Sequence, residues 1–233
     1  MRDLLLTALT LVVFLGCSSQ LGLGRARTLD AGHVRLGGGL EADFLIPHTG
    51  EKTSVPLPWI QATAGVHVGA TDRVELGARL WGFVVPKAVS TFGIAIDGKV
   101  GILRPKPEEG RWHLSTGLSL AYHRPRYGGQ PYHIFGVTVP LLVGVSIGQQ
   151  ERRHELVFGP RVVDYVWTGY GQNTVNAFYL GGSLGFAGVV KRSFELFPEI
   201  VLMGASTSFN GETTDKRQGV SLVQIGLSGS FEP

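Results

Sequence analysis

The chain of 233 residues has a single cysteine, Cys17, and is short of charge, with 17% Asp, Glu, Lys and Arg together. One thiol forms no intramolecular disulfide and no CxxC metal or redox pair. The cations are dispersed and the formal net charge is only +3, so no basic run offers a nucleic-acid surface. A spanning helix needs about 20 consecutive apolar residues. The apolar run nearest the N-terminus, Leu4 to Leu15, stops well short of that. Glycine, by contrast, is abundant at 34 residues, and the mean hydropathy is slightly positive. A chain poor in charge and rich in glycine departs from the usual soluble domain and points to a β-rich, lipid-facing one.

The first residues read as a targeting segment. Arg2 supplies a thin positive region, Leu4 to Leu15 an apolar core, and Phe14-Leu15-Gly16-Cys17 ends it. That ending resembles the lipobox of bacterial lipoproteins, in which the cysteine is acylated and becomes the mature N-terminus. The resemblance implies that residues 1–16 are a signal peptide and that Cys17 carries lipid. Residues 17–30 are then a periplasmic connector. Ordinary secretory cleavage near Ser18 or Ser19 is the alternative, and it leaves no lipid. Ser18, where an inner-membrane retention signal would place Asp, implies sorting to the outer membrane.

Beyond about Asp30 the hydrophobic period becomes two. In "HLSTGLSLAY", Leu114, Thr116, Leu118, Leu120 and Tyr122 share one face, and His113, Ser115, Gly117, Ser119 and Ala121 the other. Val74, Leu76, Ala78 and Leu80 oppose Glu75, Gly77, Arg79 and Trp81 in the same way. So do Phe92, Ile94, Ile96, Val100 and Ile102 against Gly93, Ala95, Asp97, Lys99 and Gly101. About ten such segments follow: 31–45, 59–70, 73–85, 90–104, 111–123, 133–148, 153–165, 176–190, 193–206 and 218–231. Pro140, Pro160 and Pro198 fall inside three of them, which leaves eight or twelve strands open as alternatives.

Most of the connections alternate between short and long. Those at 70–73, 104–111, 148–153 and 190–193 are short; those at 46–58, 122–133, 164–175 and 206–218 are long, and 86–89 is a short exception on the long side. Aromatic residues gather near the segment ends: Trp59, Trp81, Phe83, Phe92, Tyr122, Phe135, Tyr165, Trp167 and Phe178 towards the long loops, and Trp112, Phe194 and Phe231 towards the short turns. Rings at both ends fit the two interfaces of a bilayer. Glycines share a face with the charges, which fits a narrow lumen with room for a few long ion-paired side chains. A soluble β-barrel with its apolar face inward is the competing arrangement.

In general form, over residues 31–231, the chain resembles the small bacterial outer-membrane β-barrel proteins. That implies an antiparallel up-and-down transmembrane barrel of about ten strands with its N-terminus on the periplasmic side. Phe231, two residues from the end, stands near where such barrels carry a terminal aromatic residue. A lumenal polar network is expected from Arg35, Glu41, His67, Glu75, Arg79, Asp97, Lys99 and His113. Arg124 and Arg126, in "YHRPRYGGQPYH", are candidate outer-loop contacts to anions such as lipopolysaccharide phosphates. His33, His67 and His113 with nearby acids and serines form weak catalytic candidates, and His123 with His133 a weak metal site. The residues imply no cofactor and no metal, and ten strands are too few for a wide aqueous channel. The expected role is non-enzymatic, structural or interactive in the envelope, with outer-membrane lipids as partners. Narrow-lumen passage or binding of a small molecule, and membrane-embedded lipid-modifying or proteolytic activity, stay open.

Overall fold

Period-two alternation becomes long antiparallel strands in the computed structural model, which describes residues 24–47, 59–85, 92–105, 110–127, 130–148, 154–168, 174–191, 193–209 and 220–233. The signal-like segment, Cys17 and the connector up to residue 23 lie outside the described residues. The long strands are β1 (Val34–Pro47), β2 (Trp59–Thr71), β3 (Val74–Val85), β4 (Phe92–Leu103) and β5 (Trp112–His123). After a two-residue ribbon of β6 (Arg126–Tyr127) and β7 (Gln130–Pro131) come β8 (His133–Ile147), β9 (His154–Thr168), β10 (Thr174–Lys191), β11 (Phe194–Phe209) and β12 (Val220–Phe231). The ten long strands close into one barrel, each beside its neighbour in the chain, and β1 pairs with β12 to complete the ring.

The three strand prolines do not end their strands. Each sits at a break in a ladder instead. Register pairing between β5 and β8 lapses beside Pro140, between β8 and β9 beside Gly159-Pro160, and between β10 and β11 beside Pro198. A missing N–H costs one rung, and Thr116 reaches across the first gap, its hydroxyl donating to the Pro140 carbonyl at 2.9 Å. β9 and β10 run further than alternation alone indicates, to Thr168 and from Thr174, so the loop between them shortens to residues 169–173.

The outer surface settles which face points inward. Leu40, Leu76, Leu80, Ile96, Leu118, Leu120, Leu180, Leu202 and Leu227 are among many large apolar side chains that are exposed on it, Ile96 by 68%. Glu41, Glu75, Arg79, Asp97, Lys99, Glu155, Arg161 and Glu199 are buried inside. A water-soluble barrel reverses this order; an apolar exterior around a charged interior, with every strand edge closed, is the form that spans lipid.

Phe92, Phe135 and Phe178 are exposed towards the long-loop end, and Trp112, Phe194 and Phe231 towards the short-turn end. Trp81, Tyr165 and Trp167, expected in these belts, instead point into the lumen and are buried. Trp59 and Phe83 have side chains outside the described residues. The inward rings have a steric reason. Trp81 pairs across the ladder with Gly93, Tyr165 with Gly136 and His67 with Gly77, and a Cβ on any of these glycines would collide with the ring. Glycine therefore makes space for flat rings as well as for ion pairs.

Candidate functional site

The interior is built from three kinds of packing. Between β8 and β12, in the half nearer the long loops, it is apolar: Ile134, Val163, Tyr165, Trp167, Ala177, Tyr179, Val201, Met203 and Leu222 form one cluster. The β1–β5 wall is polar. At the short-turn end the lumen is filled by the chain itself.

Residues 24–30 run inside that mouth rather than hanging below it, and Ala26, Thr28 and Leu29 are buried. A segment entering a barrel must find partners for its backbone amides. Two lumenal carboxylates supply them. Glu155 accepts from the Ala26 and Arg27 N–H groups, both at 3.2 Å, and Glu75 accepts from the Leu29 N–H at 3.0 Å. Lys99 returns the contact by donating to the Arg25 carbonyl at 3.1 Å, and Thr28 donates to the Asp72 carbonyl at 2.8 Å. Arg25 meets Glu195 at 2.5 Å. Asp30 is clamped at the rim by Arg27 at 3.4 Å and by Arg104. Partial burial works against the Asp30 charge, but the two guanidinium groups prevail and hold its carboxyl below the usual value. The plug then joins the barrel wall, with Gly32 donating to Gly69 at 2.8 Å and Gly69 to His33 at 2.9 Å. Gly32 takes a φ of 80° in that turn, a conformation that glycine adopts without strain.

Glu75 is the hub above the plug. Lys99 lies 2.9 Å from it, His67 3.1 Å and Arg35 3.7 Å, and Arg35 also reaches Glu232 at 3.0 Å. A separate fork follows: Arg79 donates to both Asp97 oxygens at 2.6 and 2.8 Å, and to the Ser119 hydroxyl at 2.9 Å. Arg161, fully buried, pairs with Glu199. Bidentate and networked pairs of this kind offset part of the cost of removing charges from water. Among the described residues a cavity of about 60 Å³ is left between Arg25, Arg35, His67, Arg79 and Phe197, with room for a few waters.

The structure thus brings Arg35, His67, Glu75 and Lys99 together, and places Arg79 with Asp97. His113 stands apart, its Nε2 2.9 Å from the Ser146 hydroxyl. Glu41 lies in a different group, described next. His33 is exposed in the turn before β1, outside the lumen. His123 is buried inside against Trp81, with ring centroids 5.9 Å apart, whereas His133 bonds the Tyr122 hydroxyl at 2.8 Å, so the two histidines share no site. Arg124 is exposed, and the Arg126 side chain lies outside the described residues.

Glu41 and Asp43, two apart on β1, point inward between two glutamines. Gln61 stands opposite Glu41 on β2, and Gln224 opposite Asp43 on β12. Gln224 donates its amide to Glu41 and to Asp43, both at 2.8 Å, and Gln61 donates to Asp43. All four side chains are at most 2% exposed. Sequence reading singled out neither glutamine, nor Glu155, Arg161 or Glu199. Strand parity was the signal that marked all five as lumenal.

No family model and no curated protein sequence matches the chain. Solved structures similar in form include the outer membrane protease OmpT from Escherichia coli, at 8% identity and a TM-score of 0.47, covering 89% of this chain and 100% of that one. The β-domain of the Bordetella autotransporter BrkA is 14% identical with a TM-score of 0.41, over 87% and 99%. Neisserial surface protein A is 6% identical with a TM-score of 0.39, over 86% and 97%.

Proposed function

We propose that the chain is a bacterial outer-membrane β-barrel lipoprotein with a structural or interaction role in the envelope and no turnover of its own. The observation that carries this reading is the plug. Residues 24–30 fill the short-turn mouth and are fixed there by Glu75 and Glu155, and among the described residues the lumen beyond holds ion pairs, amides and rings, with a cavity of only about 60 Å³ left between them. Such an interior supports a shape-holding barrel over a conduit. In bacterial barrels the short turns face the periplasm, which puts the plug and the N-terminus on that side. From Gly24 back to Cys17 the chain spans at most about 25 Å when extended. That lets acyl chains on Cys17 enter the inner leaflet beside the barrel while the plug stays seated. The histidines fit the same reading, because His67 is bound into the Glu75 hub and His113 to Ser146, both buried. Lipids of the outer membrane, lipopolysaccharide among them, are the partners such a surface meets.

The test is fractionation of the tagged protein beside a Cys17→Ala variant, with mass spectrometry of the mature N-terminus and gel migration before and after boiling. Acylated cysteine, outer-membrane recovery and a shift on boiling are expected. A soluble periplasmic product with an unmodified N-terminus overturns the reading. Substrate-dependent leak through liposomes carrying the intact protein would replace it with transport.

A further inference from the structure

Asp164 is the exception on the barrel's exterior. Its chain neighbours Val163 and Tyr165 are buried in the lumen, so Asp164 faces outward. Among the described residues it is the one Asp, Glu, Lys or Arg of the ten long strands that does so. In register it lies between Val137 on β8 and Phe178 on β10, both exposed on the lipid side. Its partner among the described residues is Asn176, which donates its side-chain amide at 2.9 Å. An ionisable group on a lipid-facing wall marks a site whose partner has to be named. A carboxylate accepts about four hydrogen bonds and donates none, so what lies against Asp164 in the membrane must be a donor.

The surroundings indicate its chemistry. Tyr122, Phe135, Val166 and Asn176 form one row across β5, β8, β9 and β10. Asp164 lies two residues from that row towards the barrel's middle, and Arg124 two residues from it towards the long loops, a separation of about 13 Å along the strands. Arg124 is exposed and has no ion pair among the described residues. Between the two levels the Tyr122 hydroxyl meets His133 at 2.8 Å, and Phe135 lies against the Tyr122 ring with centroids 5.2 Å apart. Deeper than Asp164 the same wall is aliphatic, with Leu118, Val139 and Leu180 exposed. The matching half of β1–β4 presents Ala42, Ile60, Leu80 and Ile94, and no polar side chain among its described residues. One sector thus carries a cation, then rings, then an acceptor, then a greasy wall. An amphiphile that fits it has a phosphate, then N–H or O–H donors where its chains begin, then acyl chains. A glycerophospholipid offers only ester carbonyls at its chain roots, and these accept. We propose that Arg124, Asp164 and Asn176 form a docking surface for an outer-leaflet phosphoglycolipid of the lipopolysaccharide type, whose chains are amide-linked and hydroxylated. Arg124 takes the phosphate and Asp164 the amide or hydroxyl donors. The proposal rests on the outer-membrane reading above, in which the long loops face outside, and it names which lipid is held and where.

The experiment uses the full chain extracted in uncharged detergent. Bound lipids are counted by native mass spectrometry as bisphosphorylated lipid A or phosphatidylglycerol is titrated in. Lipid A is expected to bind more tightly by about tenfold or more, the worth of one hydrogen bond to a charged group. Asp164→Leu, an apolar change on a lipid-facing position, is expected to keep the gel shift on boiling and to make the two affinities about equal. Asn176→Leu serves where Asp164→Leu fails to fold, and it is expected to narrow the preference as well. Arg124→Gln is expected to weaken both lipids, since both carry phosphate. Equal affinities in the native chain overturn the proposal, and so does a preference that survives Asp164→Leu. A dimer mass that disappears in Asp164→Leu also overturns it, because the acid would then meet a second copy of the chain. The fractionation described above judges the outer-membrane reading separately: a chain recovered in that membrane without a lipid preference sinks this site alone.

Discussion

The backbone N–H of Leu29 and the carboxylate of Glu75, 46 residues apart, meet at 3.0 Å inside the barrel mouth. The same carboxylate holds Lys99 at 2.9 Å through the same oxygen, so one side chain fixes the plug to the wall and the wall to itself.

Glu75→Gln keeps an acceptor for Leu29 and deletes the charge. Lys99 is then buried without the carboxylate 2.9 Å from it, while Arg35 keeps Glu232, and breaking such a buried pair costs about 3–5 kcal/mol. The temperature at which the folded gel form is lost should fall clearly. Lys99→Met in the same chain should recover part of the loss, because the orphaned ammonium is gone. A double variant no more stable than Glu75→Gln would show that the Lys99 pair is not the source of the effect.

Gly69 controls the seating of the plug sterically. A Cβ there would run into the Asp30 carbonyl oxygen and approach the Leu29 carbonyl oxygen at 3.1 Å, and neither backbone group can turn aside. Gly69→Ala should therefore displace the plug while the barrel stays closed. Amide exchange of Ala26, Arg27 and Leu29 should rise by tenfold or more, about 1.4 kcal/mol of lost protection, with strand amides unchanged. Gly98→Ala is the control, its nearest neighbour being a Leu76 methyl at 3.9 Å.

The rim clamp carries a pH dependence. Arg27 and Arg104 hold the Asp30 carboxyl below its ordinary value of 3.8. A depressed carboxylate contributes stability that is fully present above the unfolded value and is lost as pH falls through the lower folded one. The plug should therefore stay clamped from neutral pH down to about 4 and loosen only in stronger acid. Following the Asp30 carboxyl by NMR should give a midpoint under 3.8, and Arg104→Gln should raise it. A midpoint unaffected by Arg104→Gln would count against the clamp.

The apolar exterior makes its own demand. Ile96 is 68% exposed midway along β4, where lipid is its solvent. Ile96→Arg should cost about 2–4 kcal/mol of folding stability in a bilayer, as charges on the lipid face of barrels do near the midplane. Refolding into lipid vesicles over a denaturant series measures it. A neutral outcome would mean that this face meets water.

The barrel was legible because alternation survives in single strands: "HLSTGLSLAY" alone separates Leu118 and Leu120 from Ser115 and Ser119, and the fold places them on opposite sides. The prolines obscured the count because a proline reads as a stop, whereas a wide closed ladder tolerates a missing rung beside Pro140. The plug was not legible. Residues 24–30 have no period, and their partners Glu75 and Glu155 stand 46 and 129 positions away. Trp81 and Tyr165 read as interfacial rings because the glycines that admit them inward lie on neighbouring strands. Gln61 and Gln224 became conspicuous only when closure brought β2 and β12 to either side of β1.

That closure has a consequence for assembly. β1 and β12 stand at opposite ends of the described chain, and their register, from Leu36 with Phe231 to Pro47 with Val220, is the most non-local contact in the wall. Bringing such distant segments together is the slowest kind of pairing, since the loop entropy is spent before any rung rewards it. The plug immediately precedes β1, the strand that this seam joins to β12. The segment that fills the mouth is thus tied by chain connectivity to the strand on which closure of the ring depends, through the Gly32–Gly69 and Gly69–His33 backbone bonds at its base.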